Sequence, residues 1–160
     1  MSRRDARRHA LHLIFQFPFY TDWGIEGLAL AKAYYYDGLE PKERPKGRDA
    51  AYITRATVGT LDRCAQLDGV IENFLKDWNL ARINRVDLAI MRLAIYEMLC
   101  EPDVPLGTAV NEAVELAKDY GGDDSPAFVN GVLANVVREI NKNKKEDKMV
   151  NAAGLWTYDR

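Results

Sequence analysis

Asp5, His9 and His12 share one face of an amphipathic segment near the amino terminus, one helical turn apart. Side chains of these types at that spacing can ligate a transition metal. Such a site needs three or four ligands, however, and Arg7 and Arg8 beside them repel a cation. They read as a solvated, basic helix face. Asp123-Asp124 suggests a divalent cation, yet the flanking sequence lacks the alternating oxygen ligands that a calcium loop requires. Gly121-Gly122 stands without the further glycines of a phosphate-cradling loop. Arg92 and Glu97 interrupt an apolar run, and Glu112 lies on the next segment. Buried charges must pair, so a structural ion pair among these three is expected rather than acid–base chemistry. Cys64 and Cys100 show no CxxC spacing and read as reduced, small apolar residues. No nucleophile, base and orienting group converge, so neither an enzyme nor a metal or cofactor site is expected.

Binding chemistry is better represented. Arg3, Arg4, Arg7 and Arg8 against Asp5 give +3 in six residues of a chain whose formal charge is −2. Guanidinium forks match phosphate oxygens two at a time, and arginine-rich segments often order on RNA. The second feature is Phe128. The apolar stripe of its segment centres on Val129, Val132, Val136 and Ile140. At roughly 100° per residue, Phe128 lies well off that centre. It directly follows the loop at residues 121–124. An aromatic beside exposed backbone amides can stack on an unpaired base; equally, it can close the end of a helical bundle.

These residues must be positioned by helices. Apolar residues recur at spacings of three and four over residues 4–17, 24–36, 48–63 and 67–78, with Pro18 ending the first segment and Asp22 placed to cap the second. Asn84 is placed to cap a helix over 85–100 that is apolar nearly all round, and therefore central, with Asp87 in its first turn. Prolines 102 and 105 mark a turn. The next helix directs Val110, Ala113, Val114, Ala117 and Tyr120 inward and stops at Gly121-Gly122, where left-handed backbone is usual. Ser125-Pro126 opens the last helix, which carries its apolar stripe to Ile140. The fold expected is all-α, about seven helices in two packed helical subdomains, with a domain over 1–140 and a polar extension over 141–160.

The 160 residues are 48% hydrophobic and 29% charged, which suits a globular chain that needs no disulfide or metal staple. The slightly acidic balance excludes a surface that is basic all over. The longest apolar run is too short to cross a bilayer, and no signal core precedes a cleavage site, so a cytoplasmic protein is expected.

The chain resembles the NusB family. Residues 111–118 (NEAVELAK), Tyr120-Gly121, Asp124-Ser125 and residues 128–133 (FVNGVL) look like its signature, and Arg92 to Glu97 followed by Asp103-Val104-Pro105 is similar to the stretch before it. The arginine-rich opening with Ala10 and Phe15-Gln16 fits as well. The resemblance covers about residues 3–140 and implies a non-enzymatic transcription antitermination factor. Such a factor binds boxA-type single-stranded RNA together with the small-subunit ribosomal protein NusE, within an RNA polymerase complex reading through rRNA operons. By that resemblance, Arg3, Arg4 and Arg7 contact RNA, with Arg8 adding charge, and Asp124, Phe128 and Phe74 belong to the same surface. Phe15 and Asp87 match positions that contact NusE, although Phe15 lacks the hydroxyl of the family's tyrosine. Asp5 interrupts the basic run, and Gly107 stands where a lysine is expected, so weaker RNA affinity follows. Two other readings stay open. One is the RNA-binding domain of an rRNA cytosine methyltransferase, which requires this chain to be a fragment. The other is a helical adaptor that binds only protein. Whether Lys42, Arg44, Lys46 and Arg48 contribute is open too.

Overall fold

The structure, a computed structural model, describes residues 1–16, 24–76 and 79–145. The expected stop at Pro18, the cap at Asp22, the apolar contributions of Phe17 and Trp78 and most of the expected extension lie outside the described residues. The chain is all-α, and it divides into two compact units, residues 1–61 and residues 62 onward.

The first unit holds α1 (Arg3–Gln16), α2 (Gly24–Asp37) and α3 (Gly47–Asp62, whose last residue falls past the division). Ala6, Ala10, Leu11, Leu13 and Ile14 of α1 are buried, as are Tyr52, Ile53 and Ala56 of α3. Tyr35 of α2 reaches α1, where its hydroxyl lies 2.7 Å from His9 Nδ1 and its ring stacks on His12 at 5.9 Å between centroids. The histidine face is therefore packed against a tyrosine rather than simply solvated, because an aromatic ring finds both an apolar and a polar partner in an imidazole. Lys32 of α2 donates to Thr54 Oγ1 of α3 at 3.0 Å. Between α2 and α3, Arg44 donates to the carbonyls of Leu39 and Asp37, both at 3.2 Å, so it braces its own loop. Gly47 enters α3 at φ +55°, where a side chain would be strained.

The second unit holds α4 (Cys64–Glu72), a 3-10 turn (Leu80–Arg82), α5 (Arg85–Cys100), α6 (Leu106–Tyr120) and α7 (Ser125–Lys145). As its composition requires, α5 is the centre: α4, α6 and α7 all pack on it. Asn84 caps it, accepting from Val86 N–H at 2.8 Å. The fourth helix ends sooner than its apolar spacing suggests. Phe74 and Leu75 donate to carbonyls three residues back, Ile71 and Glu72, so the chain tightens and leaves the helix. Tyr120, expected inward, is 38% exposed at the last residue of α6. At its far end α7 passes Ile140 without a break and is described to Lys145, with Lys142, Lys144 and Lys145 in its last described turn.

The expected ion pair among Arg92, Glu97 and Glu112 is replaced by another. Arg92 binds Asp68 of α4 in a fork, Nε to Oδ1 at 2.6 Å and a terminal nitrogen to Oδ2 at 2.8 Å. Both carboxylate oxygens are engaged, a geometry that a single long contact along α5 cannot match. Burial alone would lower the Arg92 pKa, but the hydrogen bonds and charge of Asp68 hold it above its ordinary value. Burial raises the nearby Cys64 thiol, and both cysteines are half-buried thiols outside any disulfide.

Candidate nucleic-acid interface

The arginine run is not a uniform comb. Arg3 and Arg4 are exposed, Arg8 is half-buried and Arg7 is 4% exposed. Arg3 lays its guanidinium over the Tyr52 ring of α3, 4.2 Å from the centroid, and Arg55 lies 5.9 Å from the same centroid. The ring therefore pre-orients Arg3, which remains exposed. Arg8 is held by Asp5 at 3.3 Å.

Asp5 has a structural task that explains its place in a basic run. Its carboxylate accepts from the Ser2 hydroxyl and from Ser2 N–H, while Asp5 N–H donates back to Ser2 Oγ at 3.1 Å. This reciprocal pair caps the amino terminus of α1. The hydrogen bond from the Ser2 hydroxyl is the main cause that holds the Asp5 carboxyl below its ordinary pKa. The Ser-x-x-Asp spacing was the signal for this cap in the sequence.

In the second unit, Asp124 is exposed and Phe128 half-buried at the opening of α7. Phe128 N–H donates to Asp124 carbonyl at 3.1 Å, so the aromatic sits one turn above the carboxylate. Gly121 does not adopt the left-handed backbone expected at the end of α6; its φ is −92° and its ψ −175°. Glycine is needed there for space. A Cβ would lie 2.5 Å from Ser125 Cβ and Oγ and 2.8 Å from the Ala117 carbonyl oxygen.

That close approach serves Ser125, which the sequence marked only as a helix opener. Its hydroxyl accepts from Gly122 N–H at 3.0 Å and donates to Asp87 Oδ2 at 2.8 Å. Asp87 and Ser125 are each 5% exposed. The second carboxylate oxygen, Asp87 Oδ1, is buried and finds no hydrogen-bond partner among the described residues. The structure thus brings Asp87 to the turn that carries Asp124 and Phe128. Phe74 is half-buried in the turn after α4, and Phe15 is half-buried near the end of α1. Gly107 is exposed in the first turn of α6, with open space where a side chain would stand.

Among the described residues no group of three or more His, Cys, Asp or Glu could hold a metal ion, and no helix is long and apolar enough to cross a membrane. The surfaces offer exposed cations, a half-buried aromatic and an exposed turn, which suit binding.

Comparison with known proteins places these features in a lineage. The NusB family matches residues 4–138. The transcription antitermination protein NusB of Acetivibrio thermocellus is 40% identical over 153 residues, covering 92% of this chain and 100% of the relative. That of Enterococcus faecalis is 41% identical over 142 residues, covering 88% and 92%. Among solved structures, T. maritima NusB superposes with a TM-score of 0.73 at 31% identity, covering 91% of this chain and 98% of that one. A complex of the antitermination factors NusB and NusE with dsRNA matches in fold, with a TM-score of 0.68 at 21% identity and coverage of 85% and 96%.

Proposed function

The chain belongs to the NusB family, and on that premise we propose that it is a transcription antitermination factor that acts by binding RNA, not by catalysis. The observation that carries this reading is the extent of the match. It spans residues 4–138, from the arginine helix through the Asp124–Phe128 turn, with relatives named as antitermination proteins covered over nearly their whole length. The names of those relatives favour an antitermination factor over a methyltransferase domain.

The RNA is a boxA-type single strand, and the protein partner is NusE, within a polymerase complex that reads through rRNA operons. Arg3, Arg4 and Arg8 supply a salt-sensitive attraction for phosphates, with Arg7, buried in the same helix, packed beneath them. Asp124, Phe128 and Phe74 address unstacked bases, with Phe128 offering an aromatic face. Phe15 and Asp87 contribute to the NusE surface. The protein works in the cytoplasm.

Fluorescence anisotropy of a boxA-like single-stranded RNA, titrated with this protein at two salt concentrations with and without NusE, tests the reading. Salt-sensitive binding that tightens with NusE supports it. No RNA binding in either case, with NusE still captured, leaves a protein-only adaptor. Phe128→Ala weakens RNA binding by about 1–3 kcal/mol if the ring stacks on a base. A variant that binds normally but melts earlier makes Phe128 a packing residue.

A further inference from the structure

The hydrogen bonds between Asp87, Ser125 and Gly122 run in one direction. The Ser125 hydroxyl donates its one hydrogen to Asp87 Oδ2, at 2.8 Å, and offers its lone pairs to Gly122 N–H, at 3.0 Å. Ser125 N–H in turn donates to the Gly122 carbonyl at 3.1 Å. One residue thus closes the turn at both of Gly122's polar atoms, and Asp124 is carried inside that turn. Phe128 N–H takes the Asp124 carbonyl, which fixes the aromatic to the same geometry.

Two further observations mark this contact as more than an ordinary helix opening. The chain keeps Gly121 free of a side chain, since a Cβ would lie 2.5 Å from both Ser125 side-chain heavy atoms. Asp87 also buries a carboxylate but leaves Oδ1 without a hydrogen-bond partner among the described residues. An unmet buried acceptor costs free energy, a cost that comes with holding Ser125 through Oδ2.

We propose that Ser125 is a positioning residue for RNA binding: its hydroxyl, fixed by the Asp87 carboxylate, sets the turn that presents Asp124 and Phe128 and joins that turn energetically to the partner surface at Asp87. The inference rests on the RNA role of Asp124 and Phe128 and the partner role of Asp87 proposed above. Docking of the ribosomal protein over the opening of α5 restricts the Asp87 carboxylate, whose Oδ1 lies beneath that surface. The Ser125 hydroxyl then has a fixed acceptor, and the turn loses less freedom when RNA arrives. Linkage makes the effect reciprocal: RNA tightens the partner by the factor by which the partner tightens RNA.

The test uses the full chain, a boxA-like single-stranded RNA and the small-subunit ribosomal protein partner, with affinities measured well below each variant's melting temperature. Ser125→Ala removes both hydroxyl bonds; RNA binding alone weakens by about three- to tenfold. The enhancement conferred by the partner falls to within about twofold of none. Asp87→Ala weakens RNA binding although the residue is buried away from solvent, and Asp87→Asn, which keeps an acceptor for Ser125, recovers part of the loss. This Ala-to-Asn comparison carries the test if Ser125→Ala does not fold. A purely structural role lowers the melting temperature and leaves the partner's enhancement intact. The proposal is overturned if Ser125→Ala binds RNA within about twofold of the wild type, or keeps the full enhancement. With Ser125→Ala unfolded, equal RNA affinity in Asp87→Ala and Asp87→Asn overturns it. Wild-type protein that binds no RNA defeats the functional reading itself, which is a separate outcome.

Discussion

His9 Nδ1 and the Tyr35 hydroxyl lie 2.7 Å apart, joining α1 to α2 through a histidine partly withdrawn from water. Burial is the main cause that lowers the His9 pKa; the neighbouring His12 lowers it further, while Asp5 and Glu43 pull the other way. Burial lowers His12 as well. Both rings fold preferentially in the neutral form, so their contribution is complete above the unfolded value of about 6.5. As pH falls through that value the unfolded chain takes up protons first, and stability declines until the folded-state values are passed. The depressed Asp5 carboxyl acts in a separate, more acidic window, below its unfolded value of 3.8. Urea denaturation therefore gives a lower midpoint at pH 5.5 than at 7.5, and His9→Gln combined with His12→Gln reduces the difference. An unchanged difference in the double variant assigns the pH dependence elsewhere.

The arginines of α1 divide by exposure. Arg4 is exposed, so Arg4→Ala weakens RNA binding and lowers the slope of log affinity against log salt by about 1. Its stability stays within about 0.5 kcal/mol of the wild type, as for other surface positions. Arg7, 4% exposed, behaves differently: removing a buried guanidinium strands the groups around it and costs about 1–3 kcal/mol of stability. Salt titrations of RNA affinity paired with thermal melts separate the two effects. Equal loss of salt slope and equal stability in both variants contradicts this division.

Gly107 offers the converse experiment. It is exposed, and nothing lies within 4 Å of where its Cβ would stand. Gly107→Lys adds a cation without a steric conflict, at a small cost from placing positive charge in the first turn of a helix. If the opening of α6 faces RNA, affinity rises and the salt slope steepens by about 1. A lysine there that leaves both unchanged places this turn outside the RNA contact.

What the sequence made legible is what periodicity and local chemistry encode. The span of α5, its Asn84 cap and its central place follow from apolar residues on every face, and the opening of α7 follows from Ser125-Pro126. Pairings between elements are not written that way. Arg92 was expected beside the carboxylates nearest its own helix, but the fork that satisfies a guanidinium comes from Asp68 on α4. The same holds for Ser125 and Asp87, 38 residues apart, and for Arg3 over Tyr52. Spacing also could not show that Arg7 is buried among otherwise similar arginines, because exposure depends on what the rest of the fold lays over each residue.

Gly121 separates conformational from steric reasons for a glycine. Its backbone is extended at φ −92°, so alanine suffers no dihedral penalty there. A Cβ would instead meet Ser125 Cβ and Oγ at 2.5 Å and the Ala117 carbonyl oxygen at 2.8 Å. None of these atoms is the far end of a flexible chain: Ser125 is held by Asp87 and Gly122, and the carbonyl belongs to α6. Gly121→Ala must therefore shift the turn, at a cost of about 1–3 kcal/mol, the range for overpacking. Gly122 is the internal control, since no atom lies within 4 Å of its Cβ position and alanine keeps the N–H that Ser125 accepts. Chemical denaturation of the two variants decides the matter. A destabilised Gly121→Ala beside a near-neutral Gly122→Ala establishes close packing against Ser125 as the constraint, whereas equal losses would mean that conformational freedom, not space, is what both glycines supply.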